Sequence, residues 1–205
     1  MRKLLCLAML LAAGPAPSGG IVRVRLDTSA GPITLALDAR HAPKTVANFL
    51  MYVDDGRFEG TSFYRAARAK GRPGGFVEGG IGTDPRRVLP PVPLEPTSRT
   101  GLRHLDGTVS MARFAPPDSA TGNFSILVGA SPGLDARGSD PGFAAFGRVV
   151  AGMDVVKRIL AQPAAGGSGV MRGQMLNRPV TIVHAVRLDG VARPTGGPKP
   201  WTINL

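Results

Sequence analysis

The stretch Ile21-Val22-Arg23-Val24-Arg25-Leu26, followed after a turn by Ile33-Thr34-Leu35-Ala36-Leu37, decides the fold class. In the first run Val22, Val24 and Leu26 fall on one side and Arg23 and Arg25 on the other. A period of two marks a strand with one face buried. Ile33, Leu35 and Leu37 repeat it, and Ser29-Ala30-Gly31-Pro32 between the runs has turn chemistry, so the pair reads as a β-hairpin. The period then changes. Val46, Phe49, Leu50 and Val53 stand at i, i+3, i+4 and i+7, the stripe of an amphipathic helix. Pro43 suits the first turn of that helix, and Gly56 lies just past its end.

Further along, Gly71 to Gly101 carries seven Gly and six Pro in 31 residues and shows little periodicity, so most of it must be loop and turn. Thr108 to Met111, Asn123 to Gly129 and Ala144 to Val149 are short strand candidates. Met153, Val156, Ile159 and Leu160 mark a second helix, stopped by Pro163. Pro179 to Leu188 is a final strand, and the Pro/Gly-rich tail after it, with Trp201, is expected to be loose. Short antiparallel strands with two helices point to a mainly β, closed barrel, an architecture without exposed sheet edges.

Composition agrees. The 205 residues include 28 Gly and 19 Pro, about 23% together against roughly 12% in an average protein. So many helix breakers exclude a helical bundle. A hydrophobic fraction of 43% excludes global disorder. Aromatics are scarce at 5%. The net charge is +11, from 25 Lys and Arg against 14 Asp and Glu. The basic residues are scattered, Arg86-Arg87 being the longest cluster, so no nucleic-acid partner is expected.

The first residues read as an export signal. Arg2 and Lys3 precede the apolar run Leu4 to Ala13, and Gly14 to Gly20 is built of Gly, Pro, Ala and Ser. This is the charged start, apolar centre and small-residue exit of a secretory signal peptide, and the run is too short to span a bilayer. The division expected is 1–18 signal, 19–189 barrel domain and 190–205 tail, in a periplasmic or secreted protein without stable membrane insertion after signal removal. The only cysteine, Cys6, leaves with the signal, so the mature chain has no thiol for a disulfide or a metal.

Reactive chemistry is sparse. No G-x-S-x-G elbow, phosphate loop or metal-ligand spacing occurs, and no cofactor or metal is expected. His184 lies among Val180, Ile182 and Val186 and reads as a core histidine. His41 stands at a helix start, where capping or exposure explains it, and His104 lies in a loop that says nothing about its role. Asn123-Phe124-Ser125 fits a glycosylation acceptor, a pattern common by chance. From composition and spacing the chain is an exported β-rich domain.

Six blocks taken together resemble the cyclophilin family of peptidyl-prolyl cis/trans isomerases, in the family's order from about Ile21 to Leu188. They are Ala42-Pro43-Lys44-Thr45-Val46-Ala47-Asn48-Phe49, Gly60-Thr61-Ser62-Phe63-Tyr64-Arg65, Phe76-Val77-Glu78-Gly79-Gly80, Gly107-Thr108-Val109-Ser110-Met111-Ala112-Arg113, Gly122-Asn123-Phe124-Ser125-Ile126, and the run from Phe146 to Met153. The resemblance implies an eight-stranded antiparallel barrel capped by two α-helices. It implies isomerisation of Xaa–Pro bonds in proline-containing polypeptides, assisting the folding of exported proteins, by a monomer. Arg65 is the catalytic residue it implies, with Phe76, Glu78, Ala112, Asn123, Ser125, Leu134 and Phe143 binding substrate.

The sequence also departs from the family pattern. About five extra residues lie around Arg68 to Arg72. Gly75 stands where the family has Phe, Phe76 where it has Met, and Glu78 where it has Gln. Ser125 replaces a Phe, Gly133 a frequent Trp, and Phe143 a His. These changes thin the aromatic pocket, and weak cyclosporin binding is expected. They leave a second reading open, a cyclophilin-like module that binds proline-containing segments with little catalysis.

Overall fold

The computed structural model describes residues 20–202. The expected signal segment, Cys6 included, lies outside them. The opening hairpin forms as its periodicity predicts: β1 (Ile21–Thr28) pairs with β2 (Gly31–Asp38) from Ile21↔Asp38 to Thr28↔Gly31, with Val22, Val24 and Leu26 fully buried. Thr28 Oγ1 closes the turn, donating to the Gly31 carbonyl and accepting from the Ala30 N–H.

α1 (Pro43–Asp54) follows and buries Val46, Phe49, Leu50, Tyr52 and Val53. Its N-cap position is Ala42, which has no side-chain acceptor. The missing acceptor comes from Glu95, whose carboxylate accepts the N–H groups of Lys44 (3.1 Å) and Thr45 (2.8 Å) and the Thr45 hydroxyl (2.6 Å). A negative charge on otherwise unpaired N–H groups at the positive end of a helix is favourable on both counts.

β3 (Ser62–Arg68) and β4 (Gly75–Gly80) form the next hairpin. Most of the Gly- and Pro-rich stretch Gly71 to Gly101 is irregular, as expected, apart from β4, a 3-10 turn at Pro85–Arg87 and one turn of α-helix, α2 (Thr97–Thr100). β5 (Thr108–Met111), β6 (Asn123–Val128), β7 (Ala144–Ala151), α3 (Met153–Ala161), the two-residue β8 (Ala164–Ala165) and β9 (Met175–Arg187) complete the chain. The strand order is β1-β2-β7-β5-β6-β4-β3-β9, and β9 pairs back to β1. This is the closed, eight-stranded, mainly β antiparallel barrel expected, with α1 and α3 packed on it and β8 appended to the start of β9.

The core gathers most of the scarce aromatics. The Phe49 ring lies 5.0 Å from Phe58, 5.2 Å from Phe124 and 5.3 Å from Phe146, and Phe63 meets Phe124 at 5.7 Å. Five of the eight phenylalanines are therefore interior. That leaves Phe76, Phe114 and Phe143 for the rest of the molecule.

Two expectations are corrected. His184 is not a core residue; its side chain is 61% exposed and its Nδ1 lies 3.5 Å from Glu59. The cause is a bulge: Asp27 faces His184 while Thr28 faces Ile182, so Val183 is an extra residue that shifts the alternation. Val180, Ile182 and Ala185 point inward, and His184 and Val186 outward. Nor is the tail loose. Thr195 donates from its N–H (2.6 Å) and hydroxyl (2.7 Å) to Asp55, and the Arg193 N–H donates to Asp54 (2.8 Å). Trp201 is buried beneath the guanidiniums of Arg57 (4.4 Å) and Arg87 (5.7 Å). No helix among the described residues is long and apolar enough to cross a membrane.

Candidate active site

A row of paired residues crosses five strands of the barrel. Arg65 on β3 faces Glu78 on β4, Glu78 faces Ser125 on β6, Ser125 faces Ser110 on β5, and Ser110 faces Ala145 on β7. Their neighbours Ala66, Val77, Ile126 and Val109 form the matching row in the core. Because successive side chains alternate faces, the first row is turned away from the core. The strand pattern thus places Arg65, Glu78 and Ser125 side by side on one outer face.

Arg65 is held in place. Its Nη1 donates to Glu78 Oε2 at 2.7 Å, its Nε donates to Gln174 Oε1 at 2.8 Å, and its guanidinium carbon lies 5.0 Å from the Phe76 ring centroid. Gln174 is anchored in turn by donating to the Val170 carbonyl. Tyr64 donates to the second Glu78 oxygen at 2.9 Å. Burial, and after it the Glu78 charge and hydrogen bond, push the Tyr64 phenol above its usual range, so it remains a donor. A guanidinium carries five N–H donors in a fixed fork. With two engaged, three remain for a ligand.

A second group gathers around Phe143. The Phe143 N–H donates to the Leu134 carbonyl at 3.0 Å, and the Arg113 guanidinium covers the Phe143 ring at 4.8 Å. Arg113 is fixed by donating to the carbonyls of Gly142, Phe114 and Ala115. Ala112 adjoins this group, its N–H bonded to the Asn123 carbonyl. The Asn123 side chain is anchored to the loop after β4. Its amide accepts from the Gly82 N–H (2.8 Å) and donates to the Gly82 carbonyl (2.9 Å), fixing the loop after β4. The same bonds engage the amide that the glycosylation pattern singled out.

Gly75 takes on a different meaning. Its φ is +142°, and a Cβ there would sit 2.0 Å from the Ala67 carbonyl oxygen. Gly74 is similar, with φ +99° and the Val128 carbonyl at 2.2 Å. The hairpin as it is built has no room for an aromatic side chain at position 75.

Reading the sequence missed Gln174, Arg113 and His104. His104 is 1% exposed; its ring contacts Asp135 Oδ1 at 2.6 Å and Ser110 Oγ at 2.8 Å. Asp135 is 31 residues away, so no local spacing announces the contact. Among the described residues no cluster suits a metal ion.

A closed eight-stranded antiparallel barrel with two helices packed on it is the cyclophilin-like architecture. The comparisons with known proteins agree. Residues 23–187 match the family model described as cyclophilin type peptidyl-prolyl cis-trans isomerase/CLD. Peptidyl-prolyl cis-trans isomerase A of Dickeya dadantii is 44% identical over 137 residues, covering 66% of this chain and 70% of that protein. A peptidyl-prolyl cis-trans isomerase of Streptomyces antibioticus is 41% identical over 139 residues, 66% of this chain and 81% of that one. A crystal structure of a Cryptosporidium parvum cyclophilin type isomerase shares the fold with a TM-score of 0.64 at 20% identity, over 83% of this chain and 99% of that one. The chain belongs to the cyclophilin-type peptidyl-prolyl cis-trans isomerase family, and its relatives support isomerase activity.

Proposed function

We propose that this protein isomerises Xaa–Pro bonds in exported polypeptides, as a monomer acting outside the cytoplasm, with Arg65 as its catalytic residue. The barrier to rotation is about 18–20 kcal/mol because the amide is conjugated, and uncatalysed exchange takes tens to hundreds of seconds. No covalent step is needed. The catalyst has to bind the twisted amide more tightly than the planar one. Phe76, Leu134 and Phe143 supply apolar surface for the proline ring. As the amide twists, the prolyl nitrogen loses conjugation and gains a lone pair that accepts a hydrogen bond. The free N–H groups of Arg65 supply that bond, and the donors already fixed on Glu78 and Gln174 keep the fork from swinging away.

The observation that carries this reading is the two-point restraint of Arg65 by Glu78 and Gln174. Exchange NMR or a protease-coupled assay on a proline peptide tests it. Arg65→Ala is expected to lower kcat/KM by about 100-fold, the scale of losing one preorganised donor. Equal rates for the two proteins, both no faster than buffer, would sink the enzyme reading and leave the proline-binding module. That second reading draws on the Arg65–Glu78 pair, which offsets the guanidinium's charge, and on Gly75. Cyclosporin is expected to bind weakly, and a titration giving tight, saturable binding overturns that expectation. N-terminal sequencing of the protein recovered outside the cytoplasm tests export, with a mature terminus near residue 19 as the expected result.

A further inference from the structure

His104, Ser110 and Asp135 stand outside the isomerase mechanism just described, yet their hydrogen bonds are among the best formed in the molecule. Ser–His–Asp is the order of a serine hydrolase, but Ser110 is 3% exposed within the row of paired strands, so no acyl substrate reaches its Oγ. The bonds point elsewhere, to the turn at Pro132–Leu134.

Three bonds tie that turn to residue 104. The His104 N–H donates to Asp135 Oδ1 (3.1 Å), the ring Nδ1 donates to the same oxygen (2.6 Å), and the His104 carbonyl accepts from the Ser131 N–H (2.8 Å). With Nδ1 as the donor, Nε2 accepts from the Ser110 hydroxyl (2.8 Å), which fixes the ring to β5. On either side of the turn the Ala136 N–H donates to Thr97 Oγ1 (2.8 Å) and the Ala130 carbonyl accepts from Arg72 (3.1 Å). Pro132 and Gly133 are exposed, and at Gly133, where the family often has Trp, no side chain roots it in the barrel. Leu134 lies between the two clamped residues and accepts from the Phe143 N–H.

We infer that His104 is a positioning residue for proline binding: it clamps residues 131–135 to β5 and so holds Leu134 beside Phe143 at the substrate face. The inference rests on the proposed reading of that face as the proline site. His104 does not touch substrate. It replaces an anchoring side chain at Gly133 with a hydrogen-bonded clamp from beneath, and this lowers the ordering cost of binding.

The test uses the full barrel with its tail and four proteins: wild type, His104→Ala, Asp135→Ala and His104→Asn. Affinity for an Ala-Pro tetrapeptide is measured by titration, kcat by exchange NMR, and turn order by hydrogen exchange at the Ser131 amide. His104→Ala and Asp135→Ala are expected to weaken peptide affinity by about tenfold with kcat within twofold, and to speed Ser131 exchange. His104→Asn keeps an N–H donor for Asp135, so affinity within about threefold of wild type and slow Ser131 exchange are expected. A merely structural role predicts losses that follow melting temperature and no rescue by Asn. That pattern, or equal affinities in all four proteins, overturns the inference. Absence of peptide binding by wild type overturns the proline-site reading and the inference with it, and the Ser131 exchange rates then distinguish a missing site from a missing clamp.

Discussion

At the scale of single residues, Glu78 is the charge that faces Arg65. A carboxylate where relatives of the resembled pattern have an amide cancels much of the guanidinium's charge at 2.7 Å, in a site where both side chains are mostly buried. Glu78→Gln keeps an acceptor for Arg65 and removes the charge. It is expected to raise kcat by about threefold to tenfold, or roughly 0.7–1.4 kcal/mol of transition-state stabilisation. Exchange NMR measures this, and an unchanged or lower rate means that Glu78 supports Arg65 without restraining it. His104 carries a second residue-level prediction. Burial pushes its pKa down from the usual value of about 6.5, against the opposing pull of Asp135. The fold therefore favours the neutral ring. Its contribution to stability is fully present above about pH 6.5 and is lost as pH falls through the lower folded-state value. Urea midpoints should decline from pH 7 toward pH 5 in the wild type and decline less steeply in His104→Asn.

At the scale of elements, α1 depends on a residue from a distant loop. Glu95→Ala strips the acceptor from two N–H groups and a hydroxyl at the helix start, and a loss of about 1–3 kcal/mol is expected in chemical denaturation. A loss below 0.5 kcal/mol would show that water replaces the cap. The β3–β4 hairpin resists restoration of the family aromatic. Gly75→Phe meets the Ala67 carbonyl and a positive φ, so it should lower the melting temperature and leave peptide affinity no better than wild type. The β1–β2 hairpin, α1 and α3 were legible because their periods are local. The Glu95 cap, the Val183 bulge and the Asp135–His104 contact were not, because each joins residues far apart in the chain whose alignment only the closed barrel sets. At the candidate site, Arg65 was read from one block and Phe76 and Glu78 from another, and the pairing of β3 with β4 brings the two blocks side by side. The bonds of the Asn123 amide to Gly82 were not legible either, because they join residues 41 positions apart.

At the scale of the whole molecule, the tail is part of the folded body. It covers Asp54, Asp55, Arg57 and Arg87, and none of these lies in the row that carries Arg65. Deleting residues 190–205 is expected to cost roughly 2 kcal/mol, or about 4–8 °C of melting temperature. Its kcat/KM should stay within twofold of wild type, and a large loss of activity would place the tail in the catalytic unit. The basic residues are scattered along the sequence rather than gathered in one run, so binding of proline peptides should depend only weakly on salt.

Trp201 has an optical consequence. It is the only tryptophan in the sequence, and it sits in the docked tail against two cations, whereas the two tyrosines lie elsewhere, Tyr52 on α1 and Tyr64 on β3. Indole fluorescence therefore watches the tail alone, while the far-ultraviolet β signal watches the barrel. The order in which the two parts come away from each other during unfolding can be followed in the unlabelled protein, two colours of light reporting two separate events.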